Sequence, residues 1–559
     1  MVAARSSTSR PARRALHRLT AAWLGSIVSS ALPLYAQPPP PRTEAGARAR
    51  PVVPADAPAD TWGAGPGESE EPALSPPPNA TRAVPGREPE VAAAASEVAP
   101  PLVYTLEAIE VRGNARTQSR VVLRYVPFRP GDVFDVDDPE VELTRYRLLG
   151  TGFFKDVQFS LRKGSRRGQV VLAIEVVERN TIIVNDVWLG ISADADTEGH
   201  ARPLTAYGGV DVAETNLFGT GITLGSAIGL GQDQLALRLR FLDPAFFGRG
   251  FMTNGTLLFN DARDFFGNAG VLYADPEQAS PPPEHAVVRY ERLGGSLGVG
   301  RDLSVAAQAW LYYRFEAIDA SYPLAASHRR GSRVEPIDFD VIRGRSVLSA
   351  LRATLQLDTR DHPFLPTRGW FATATSEVAV APLGSDYGYQ RLELAASRWW
   401  RLPYKSHVLR LELFAGAITG SAPFFEQYYV GDFSDFLPAR FLSVNHDRRP
   451  PPNFLGTQIV EVRYGTYAAK LNLEYRIPLY RGQRSVFGID FFSSAGAYAV
   501  ASAREFQSPP PDYAGLALVP LDLTANVGFR VDTKAGGFVL AFSNILGFIP
   551  VRGEGPAGE

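Results

Sequence analysis

Two short patterns in this sequence contain residue types that enzymes use for catalysis. Residues 294–298 read Gly-Gly-Ser-Leu-Gly, which places a serine between glycines as in a nucleophile elbow. Asp358 and Asp361 form a carboxylate pair of the kind that can supply a general acid and a general base. The serine pattern lacks the strand, turn and helix of an elbow, and Arg360 with local turn chemistry accounts for the two aspartates. We therefore expect that the protein is not an enzyme and has no cofactor and no metal site.

Both patterns lie in segments whose apolar residues alternate with polar ones. In residues 351–358, the odd positions are Leu, Ala, Leu and Leu, and the even positions are Arg, Thr, Gln and Asp. A period of two predicts a β-strand with one apolar and one polar face. The chain then passes through a turn rich in Asp, Pro and Gly and alternates again over residues 370–377. The two segments together predict a hairpin.

The same alternation recurs at residues 235–241, 409–413, 471–477 and 521–532. Strands of about 9–11 residues, aliphatic on one face and rich in Arg and Glu on the other, are typical of a membrane β-barrel with a wet lumen. The alternative is a soluble β-sandwich, in which these charged side chains would face a dry core. Beyond the N-terminal region there is no run of about 18 apolar residues, so we expect strands rather than helices to cross the membrane.

Composition and the N-terminal region add the remaining organisation. The 559 residues carry a formal net charge of -2, which gives no electrostatic case for nucleic acid as a partner. The sequence contains no Cys, which excludes disulfides. Residues 1–36 place arginines ahead of an apolar stretch and predict a secretory signal peptide. Residues 37–100 are rich in Pro and Ala without aliphatic periodicity, which predicts a disordered linker.

The segment that follows the linker predicts a small α+β domain. A short strand ends at a Gly113-Asn114 turn, and a helix is expected over residues 117–126. Asp137 or Asp138 should cap a second helix, since a proline at the first helical position follows. Two alternating segments come next and predict a pair of strands. The expected order is strand, helix, helix, strand, strand.

These residues resemble a polypeptide-transport-associated (POTRA) domain. The resemblance rests on VRGN, GDVF, LLGTGFFKDVQF and AIEVVERN, all within residues 102–180. The strands that follow resemble the barrel of the outer-membrane insertase superfamily of BamA and TamA type. They do so through ETNLFGTG, FLDPAFFGRG, LDTRDHPFLPTRG, LNLEYRIPLY and VGFRVDTKAGGFVLAFSN. The third of these segments, here called the hairpin motif, contains Asp358, Thr359, Arg360, Asp361 and Gly369.

The resemblance implies a fold and a location. It implies an all-β transmembrane barrel of about 16 antiparallel strands at residues 181–550, preceded by one α+β POTRA domain and followed by a tail at 551–559. The implied location is the outer membrane of a Gram-negative-type bacterium, with the POTRA domain in the periplasm. The implied partners are outer-membrane lipid and unfolded or extended client segments, with a periplasmic chaperone or accessory protein as a further candidate.

The resemblance also implies a lid. In this superfamily a long extracellular loop folds into the lumen and is held there by an arginine in a V-R-G-F type motif. The corresponding stretch is residues 425–454, in which Arg440-Phe441 is the match although no Gly follows the arginine. Strand alternation points Glu474 and Asp490 into the lumen. Because a guanidinium in a partly dehydrated lumen requires a carboxylate, we expect Arg440 to pair with Asp490, Glu474 or both. The alternative is a solvated arginine on an exposed loop.

Three functions fit this organisation. The first is the assembly or insertion of outer-membrane proteins, the second a dedicated pore that secretes a partner protein, and the third a passive structural or diffusion barrel. In the first two, extended client segments would add to a POTRA strand edge and to the edges where the first and last barrel strands meet. We expect those two strands, near residues 182–191 and 538–545, to pair weakly. We also expect the POTRA domain to dock under the barrel through a short link.

Overall fold

A computed structural model describes the chain from residue 103 to residue 543 with gaps. The described residues are 103–195, 201–246, 250–266, 272–273, 285–323, 326–330, 333–362, 364–433, 440–446, 453–482, 486–507 and 513–543. The predicted signal peptide, linker and C-terminal tail lie outside them. In the described ranges, no helix is long and apolar enough to cross a membrane.

The N-terminal domain is a mixed four-stranded sheet with two helices. Its elements are β1 (Val103–Arg112), α1 (Ser119–Arg124), β2 (Val133–Asp135), α2 (Pro139–Gly150), β3 (Phe154–Lys163) and β4 (Gln169–Glu178). The strand order is β2-β1-β4-β3, with β1 parallel to β4 and the other pairs antiparallel. The predicted order of elements lacked β2, because a strand of three residues is too short to show an alternation. Leu106, Leu148, Phe154 and Ile174 lie fully buried at the centre of its core.

Local chemistry explains the turns of this domain. Gly113 has a φ of 81°, and a Cβ there would clash with the backbone oxygen of Val176, so the turn after β1 requires glycine. Asn114 Nδ2 donates to the backbone oxygen of Thr117 at 2.8 Å, which fixes the entry into α1. Of the two predicted caps of α2, Asp138 is the one whose side chain accepts a hydrogen bond, from the Glu140 backbone N–H at 2.8 Å.

The rest of the chain forms one large antiparallel sheet. Its strands are β5 (Ile182–Ala195), β6 (Ala201–Leu217), β7 (Ile222–Gly231), β8 (Gln234–Asp243), β9 (Phe251–Phe266), β11 (Ala286–Asp302), β12 (Ala307–Ser321), β15 (Gly344–Asp358), β16 (Gly369–Ala379), β17 (Gly388–Arg401), β18 (Val408–Ser421), β23 (Tyr467–Arg481), β24 (Val486–Ala501), β25 (Leu521–Thr533) and β26 (Gly536–Phe542). Each strand pairs with its neighbours in this order. The sheet is a nearly closed barrel. The described residues contain 15 of its strands, where the resemblance implied about 16.

Short elements fill the loops of the barrel. β10 (Leu272–Tyr273), β13 (Ala326–Arg330) and β14 (Arg333–Pro336) form a small sheet of their own. The loop between β18 and β23 contains β19 (Tyr428–Tyr429), β20 (Arg440–Phe441), β21 (Val444–Asn445), β22 (Tyr464–Gly465) and the 3-10 helices Phe424–Glu426, Val430–Phe433 and Gln458–Glu461. A helix α3 (Ala503–Gln507) and the 3-10 helices Ala381–Leu383 and Gly515–Leu518 complete the described chain.

The two faces of the barrel wall reverse the pattern of a soluble protein. Large apolar side chains are exposed on the outside, among them Leu257, Leu297, Leu355, Leu394 and Leu473. Charged side chains are fully buried on the inside, among them Arg292, Glu316, Glu377, Asp490 and Asp532. A hydrocarbon solvent outside and a polar lumen inside account for both observations. The alternation read from the sequence is therefore confirmed, and the soluble sandwich is excluded.

The N-terminal domain docks against one end of the barrel, here called the proximal end. Arg124 and Arg147 both contact the carboxylate of Asp302 at the end of β11, the first at 2.6 Å. Arg124 Nε also donates to the backbone oxygen of Pro244 at 2.7 Å. At the hairpin motif, Arg368 Nη2 lies 2.7 Å from Glu142 Oε1. The helices of the domain are thus tied to several barrel turns, as the sequence predicted.

The ETNLFGTG segment is shaped by this docking. Asn216 Nδ2 donates to Thr117 Oγ1 at 2.8 Å, and the Gln118 backbone N–H donates to the Gly219 oxygen at 2.9 Å. Gly219 has a φ of 72°, and a Cβ there would clash with the backbone oxygen of Arg116. The glycine therefore permits close approach of the two domains.

Candidate functional site: the strand seam and the lumen lid

The first and last described barrel strands, β5 and β26, do not form a ladder with each other. Fourteen antiparallel pairings connect them, one between each two neighbours of the 15 strands, so β5 and β26 run in the same direction. In the described residues, β5 contacts the last hairpin through one backbone hydrogen bond, from the Val184 N–H to the oxygen of Ala535 in the turn between β25 and β26, at 2.9 Å. The weak pairing predicted for this seam is confirmed in its described part. Asn544 and Ile545, which the prediction included, lie outside the described residues.

The side chains beside the seam are apolar and exposed. Leu189 on β5 is 84% exposed, and Leu540 and Phe542 on β26 are 73% and 75% exposed. Within the described residues, no strand pairs with the edge of β5 or of β26 that faces the seam, so the backbone N–H and C=O groups of these edges lack a ladder partner there. An extended polypeptide could satisfy those groups by adding as a strand.

Arg179 fastens the seam at its proximal end. It lies in the three-residue link between β4 and β5, and its backbone N–H donates to the Phe153 oxygen of the N-terminal domain at 2.8 Å. Its guanidinium lies 3.1 Å from the carboxylate of Asp532 on β25 and also donates to the Thr533 backbone oxygen. The rings of Phe364 and Phe487 lie 4.6 and 5.2 Å from it. Burial lowers the pKa of the Arg179 guanidinium below its ordinary value, although Asp532 opposes the shift.

The lid is the loop between β18 and β23, which folds back into the barrel lumen. Its residues Phe424, Phe425, Tyr428, Phe433 and Phe441 are buried in the same core cluster as side chains of the barrel wall. Phe424 and Phe425 pack on Tyr290 of β11 with ring centroids 5.3 and 5.5 Å away. A loop with this many buried aromatic rings belongs to the folded interior of the barrel.

Glu426 joins the lid to the barrel wall. Its carboxylate lies 2.5 Å from Arg314, 3.1 Å from Arg391 and 3.2 Å from Arg292, on three strands of the wall. Glu316 and Glu377 balance the same arginines from the wall itself. Burial alone would raise the pKa of Glu426, but the guanidinium groups, that of Arg314 first, hold it below the ordinary value of a glutamate. The lid is therefore held by a carboxylate of its own among arginines of the wall.

The predicted pairing of Arg440 is wrong. Arg440 Nη2 lies 2.6 Å from Asp432, a residue of the lid itself, and its guanidinium also donates to backbone oxygens of the lid. Glu474 lies 2.6 Å from Arg530, and Asp490 lies 3.0 Å from Arg476. These wall carboxylates are neutralised by arginines of the wall: Asp490 on β24 by Arg476 of the neighbouring strand β23, and Glu474 on β23 by Arg530 on β25, two strands away. Arg440 thus braces the lid internally.

Phe441, the other predicted lid residue, contacts the first barrel strand. Its ring stacks on Trp188 of β5, with centroids 4.9 Å apart and planes 15° apart, and on His446 at 4.9 Å. The turn between β20 and β21 uses Leu442 and Ser443 with φ of 53° and 63°, which turns the hairpin tightly enough to fit the lumen. The tip of the lid therefore rests on one strand of the seam.

The hairpin motif is a self-contained turn. Arg360 forms a bidentate pair with Asp358 at 2.9 and 2.6 Å, and Asp361 accepts hydrogen bonds from the Thr367 and Arg368 backbone N–H groups. Thr359 closes the turn through two hydrogen bonds with the Trp370 backbone. Gly369 has a φ of 107°, and a Cβ there would clash with the Thr359 oxygen. The carboxylates of Asp358 and Asp361 thus pair with Arg360 and accept backbone hydrogen bonds within the turn.

Sequence reasoning missed Arg179, Glu426 and the three arginines around Glu426. Glu426 had a visible signal, because it is the one charged residue within the aromatic run FFEQYY. The arginines gave no signal of their own, since inward arginines recur along the barrel strands. Ser296 of the serine pattern lies within the uninterrupted strand β11 and pairs with Thr256 and Arg314 on its two sides.

A barrel with an apolar outer wall, a polar lumen, an inserted lid and a docked α+β domain defines a class of outer-membrane protein. Residues 216–436 match the Omp85 superfamily domain, and residues 104–179 match POTRA, described as surface antigen variable number repeat. Residues 216–436 are therefore similar to the Omp85 superfamily domain and residues 104–179 to a POTRA domain, and the resemblance seen in the motifs is confirmed. Its location is the outer membrane, with the POTRA domain in the periplasm.

Two relatives are similar to this chain. A putative outer membrane protein assembly factor of Treponema pallidum (strain Nichols) is 23% identical over 282 residues, which are 48% of this chain and 32% of the relative. Outer membrane protein assembly factor BamA of Nitratidesulfovibrio vulgaris (strain Hildenborough) is 23% identical over 331 residues, which are 57% of this chain and 36% of the relative. The chain thus matches about a third of the length of these relatives.

Solved structures with a similar fold include BamA from Haemophilus ducreyi lacking POTRA domains 1-3, at 17% identity and a TM-score of 0.43 over 79% of this chain and 80% of that one. CdiB from Escherichia coli is 10% identical, with a TM-score of 0.47 over 79% of this chain and 75% of that one.

Proposed function

We propose that this protein assembles, inserts or translocates client proteins at the outer membrane by binding extended client segments as added strands. The observation that carries the proposal is that β5 and β26 form no ladder with each other within the described residues, while apolar side chains beside the seam are exposed. Both relatives are named outer membrane protein assembly factors, which agrees with this activity.

The mechanism requires binding without covalent chemistry. A client segment would first add to β3, which is an edge strand of the POTRA sheet in the part of the chain that the structure describes. It would then add to β5 or β26, where main-chain hydrogen bonds supply affinity and the exposed apolar side chains supply contact area. The client is an extended or unfolded polypeptide, and outer-membrane lipid surrounds the apolar outer wall. A periplasmic chaperone or accessory protein is a further candidate partner.

The alternative is a dedicated secretion pore. It uses the same strand addition but exports one partner protein instead of inserting many. The match to one POTRA domain, at residues 104–179, is the feature that keeps this alternative open. Deletion of the protein followed by a census of outer-membrane proteins separates the two, because a general insertase affects many barrels and a secretion pore affects one exported protein. A passive barrel would affect neither.

A disulfide across the seam tests the proposal. The chain has no Cys, so Val184→Cys and Ala535→Cys would place a single pair where the two strands meet. Oxidation should abolish activity while the barrel stays folded, because the seam can no longer open to a client. Thr354→Cys with Thr375→Cys is the matched control, since these residues face each other across two fully paired strands. Full activity of the oxidised seam variant would reject strand addition at this site.

A further inference from the structure

The lumen holds a cavity of about 710 Å³ that lies between the lid and the seam. Its walls include residues of β5, the start of β26, the lid hairpin and the inner face of β8. The volume falls within the range of about 300–1,000 Å³ that is usual for ligand sites in proteins. This space, here called the lumen cavity, is large enough for a short stretch of polypeptide.

Two arginines of the lumen cavity differ from the others. Arg238 and Arg240 lie two positions apart on β8, so both point into the lumen while Leu237 and Leu239 point outward. Arg238 donates to Ser443 Oγ at 3.3 Å, and in the described residues neither guanidinium has a carboxylate at ion-pair distance.

The remaining arginines that line the lumen cavity are paired. They are Arg292, Arg314, Arg352, Arg391 and Arg440, each with a carboxylate oxygen at 2.5 to 3.9 Å. A guanidinium that faces a cavity with no carboxylate at ion-pair distance can give its donors to a ligand oxygen without first breaking an ion pair. Arg238 and Arg240 are therefore the groups of this cavity that are available for an anionic ligand.

We propose that Arg238 and Arg240 form a carboxylate-binding site in the lumen cavity, which takes acidic side chains of an extended client segment next to the seam. This inference rests on the proposed function and specifies the chemistry of the client. The neighbouring wall favours a polypeptide, because Asn185 and Asp186 of the seam strand and Gly536 and Gly537 of β26 line the same cavity. A client segment that enters the lumen beside the seam would share this cavity with both guanidinium groups.

The position of the arginines favours a polypeptide carboxylate over the phosphate of a membrane lipid. Arg238 is the fifth of the ten residues of β8, which places it near the middle of the wall. Lipid phosphates lie outside a hydrocarbon core that is about 30 Å thick. A headgroup would have to leave the bilayer surface and enter the barrel to reach this site.

Peptide binding to the full chain tests this site. The probes are two fluorescein-labelled peptides of about ten residues, the length of one membrane strand; one alternates valine with aspartate, and the other has asparagine in place of aspartate. Fluorescence anisotropy should show that the wild-type protein prefers the aspartate peptide by about tenfold, the ratio expected from one charge-assisted contact. Arg238→Gln/Arg240→Gln should remove the preference and leave the asparagine peptide bound as before. Arg343→Gln/Arg345→Gln, with the same spacing at an exposed position, should retain it.

The outcomes separate this inference from the proposed function. If both peptides bind but Arg238→Gln/Arg240→Gln keeps the aspartate preference, the carboxylate site is rejected and the proposed function stands. If neither peptide binds the wild-type protein, both fail. Titration with inorganic phosphate is the third arm. If phosphate binds at these arginines and the wild-type protein does not prefer the aspartate peptide, the ligand is a phosphate and the assignment to a polypeptide is overturned. Heat-modifiable mobility on a gel confirms that each variant is a folded barrel.

Discussion

Glu426 is the residue on which the lid depends most directly. It contacts three arginines of the wall, so its removal would leave only Glu316 and Glu377 to balance their three positive charges inside the barrel. Breaking a buried pair by removing one partner costs about 3–5 kcal/mol. We expect Glu426→Gln to loosen the lid, so that Ser443→Cys in the lid hairpin reacts several times faster with a bulky maleimide. Asp338→Asn, at an exposed loop position, should leave the rate unchanged. Equal rates in both variants would show that Glu426 does not hold the lid.

The same residue predicts how the lid responds to acid. The arginines hold the pKa of Glu426 below its ordinary value of about 4.3, so its ionised form stabilises the lid at any pH above that value. This stabilisation is lost as the pH falls through the lowered pKa of the folded state. We expect a spin label attached at Ser443→Cys to stay immobilised at pH 5 and to become mobile only in stronger acid, as measured by electron paramagnetic resonance, and Glu426→Gln should remove this acid step. A mobile label above pH 5 would contradict the assignment.

At the scale of elements, Arg179 connects the POTRA domain with the last barrel hairpin. Its backbone contacts Phe153 of the POTRA domain, and its side chain contacts Asp532 and Thr533 of the barrel. Movement of the POTRA domain would therefore displace the strands at the seam. We expect Arg179→Ala to leave Asp532 buried without its partner and to raise amide hydrogen exchange at residues 182–187 and 533–536. Arg112→Ala removes an exposed arginine and should have little effect. Unchanged exchange in Arg179→Ala would mean that the seam is closed by other contacts.

The elements of the fold could be predicted from the sequence, because the membrane imposes a period of two on every spanning strand. Residues 351–358 showed this period, and the structure places them in β15 as expected. The POTRA helices could be predicted from capping residues such as Asp138. The strand β2 could not, because three residues carry no period.

The pairings inside the lumen could not be predicted in the same way. Glu474 and Asp490 point inward as expected, but which arginine each one meets depends on the register between neighbouring strands. Arg440 pairs with the carboxylate of Asp432, which lies eight positions earlier in the lid. Alternation tells which way a side chain points, whereas its partner is set by contacts between residues far apart in the sequence.

At the scale of the whole molecule, the POTRA domain and the barrel share a charged contact. Asp302 receives both Arg124 and Arg147, and hydrogen bonds to a charged group contribute about 1.5–3 kcal/mol each. We expect Asp302→Asn to broaden the distance distribution between spin labels at Ser160→Cys and Tyr404→Cys. Asp319→Asn, which removes an exposed carboxylate on β12, should keep the narrow distribution. A broad distribution in the protein without either substitution would show that the domain is not docked in solution.

Client polypeptides are proposed to bind at the seam between β5 and β26. Site-specific photocrosslinking during client assembly tests this binding most directly. A photoreactive residue at Leu189 on β5 or at Leu540 on β26 should form adducts with client polypeptides, because both side chains are exposed beside unpaired strand edges. The same residue at Leu257, which is 64% exposed on a fully paired part of the wall, should form none. The predicted result is that adducts form at Leu189 and Leu540 and not at Leu257. Equal adducts at Leu257, or no adducts at the seam, would contradict client binding at the seam.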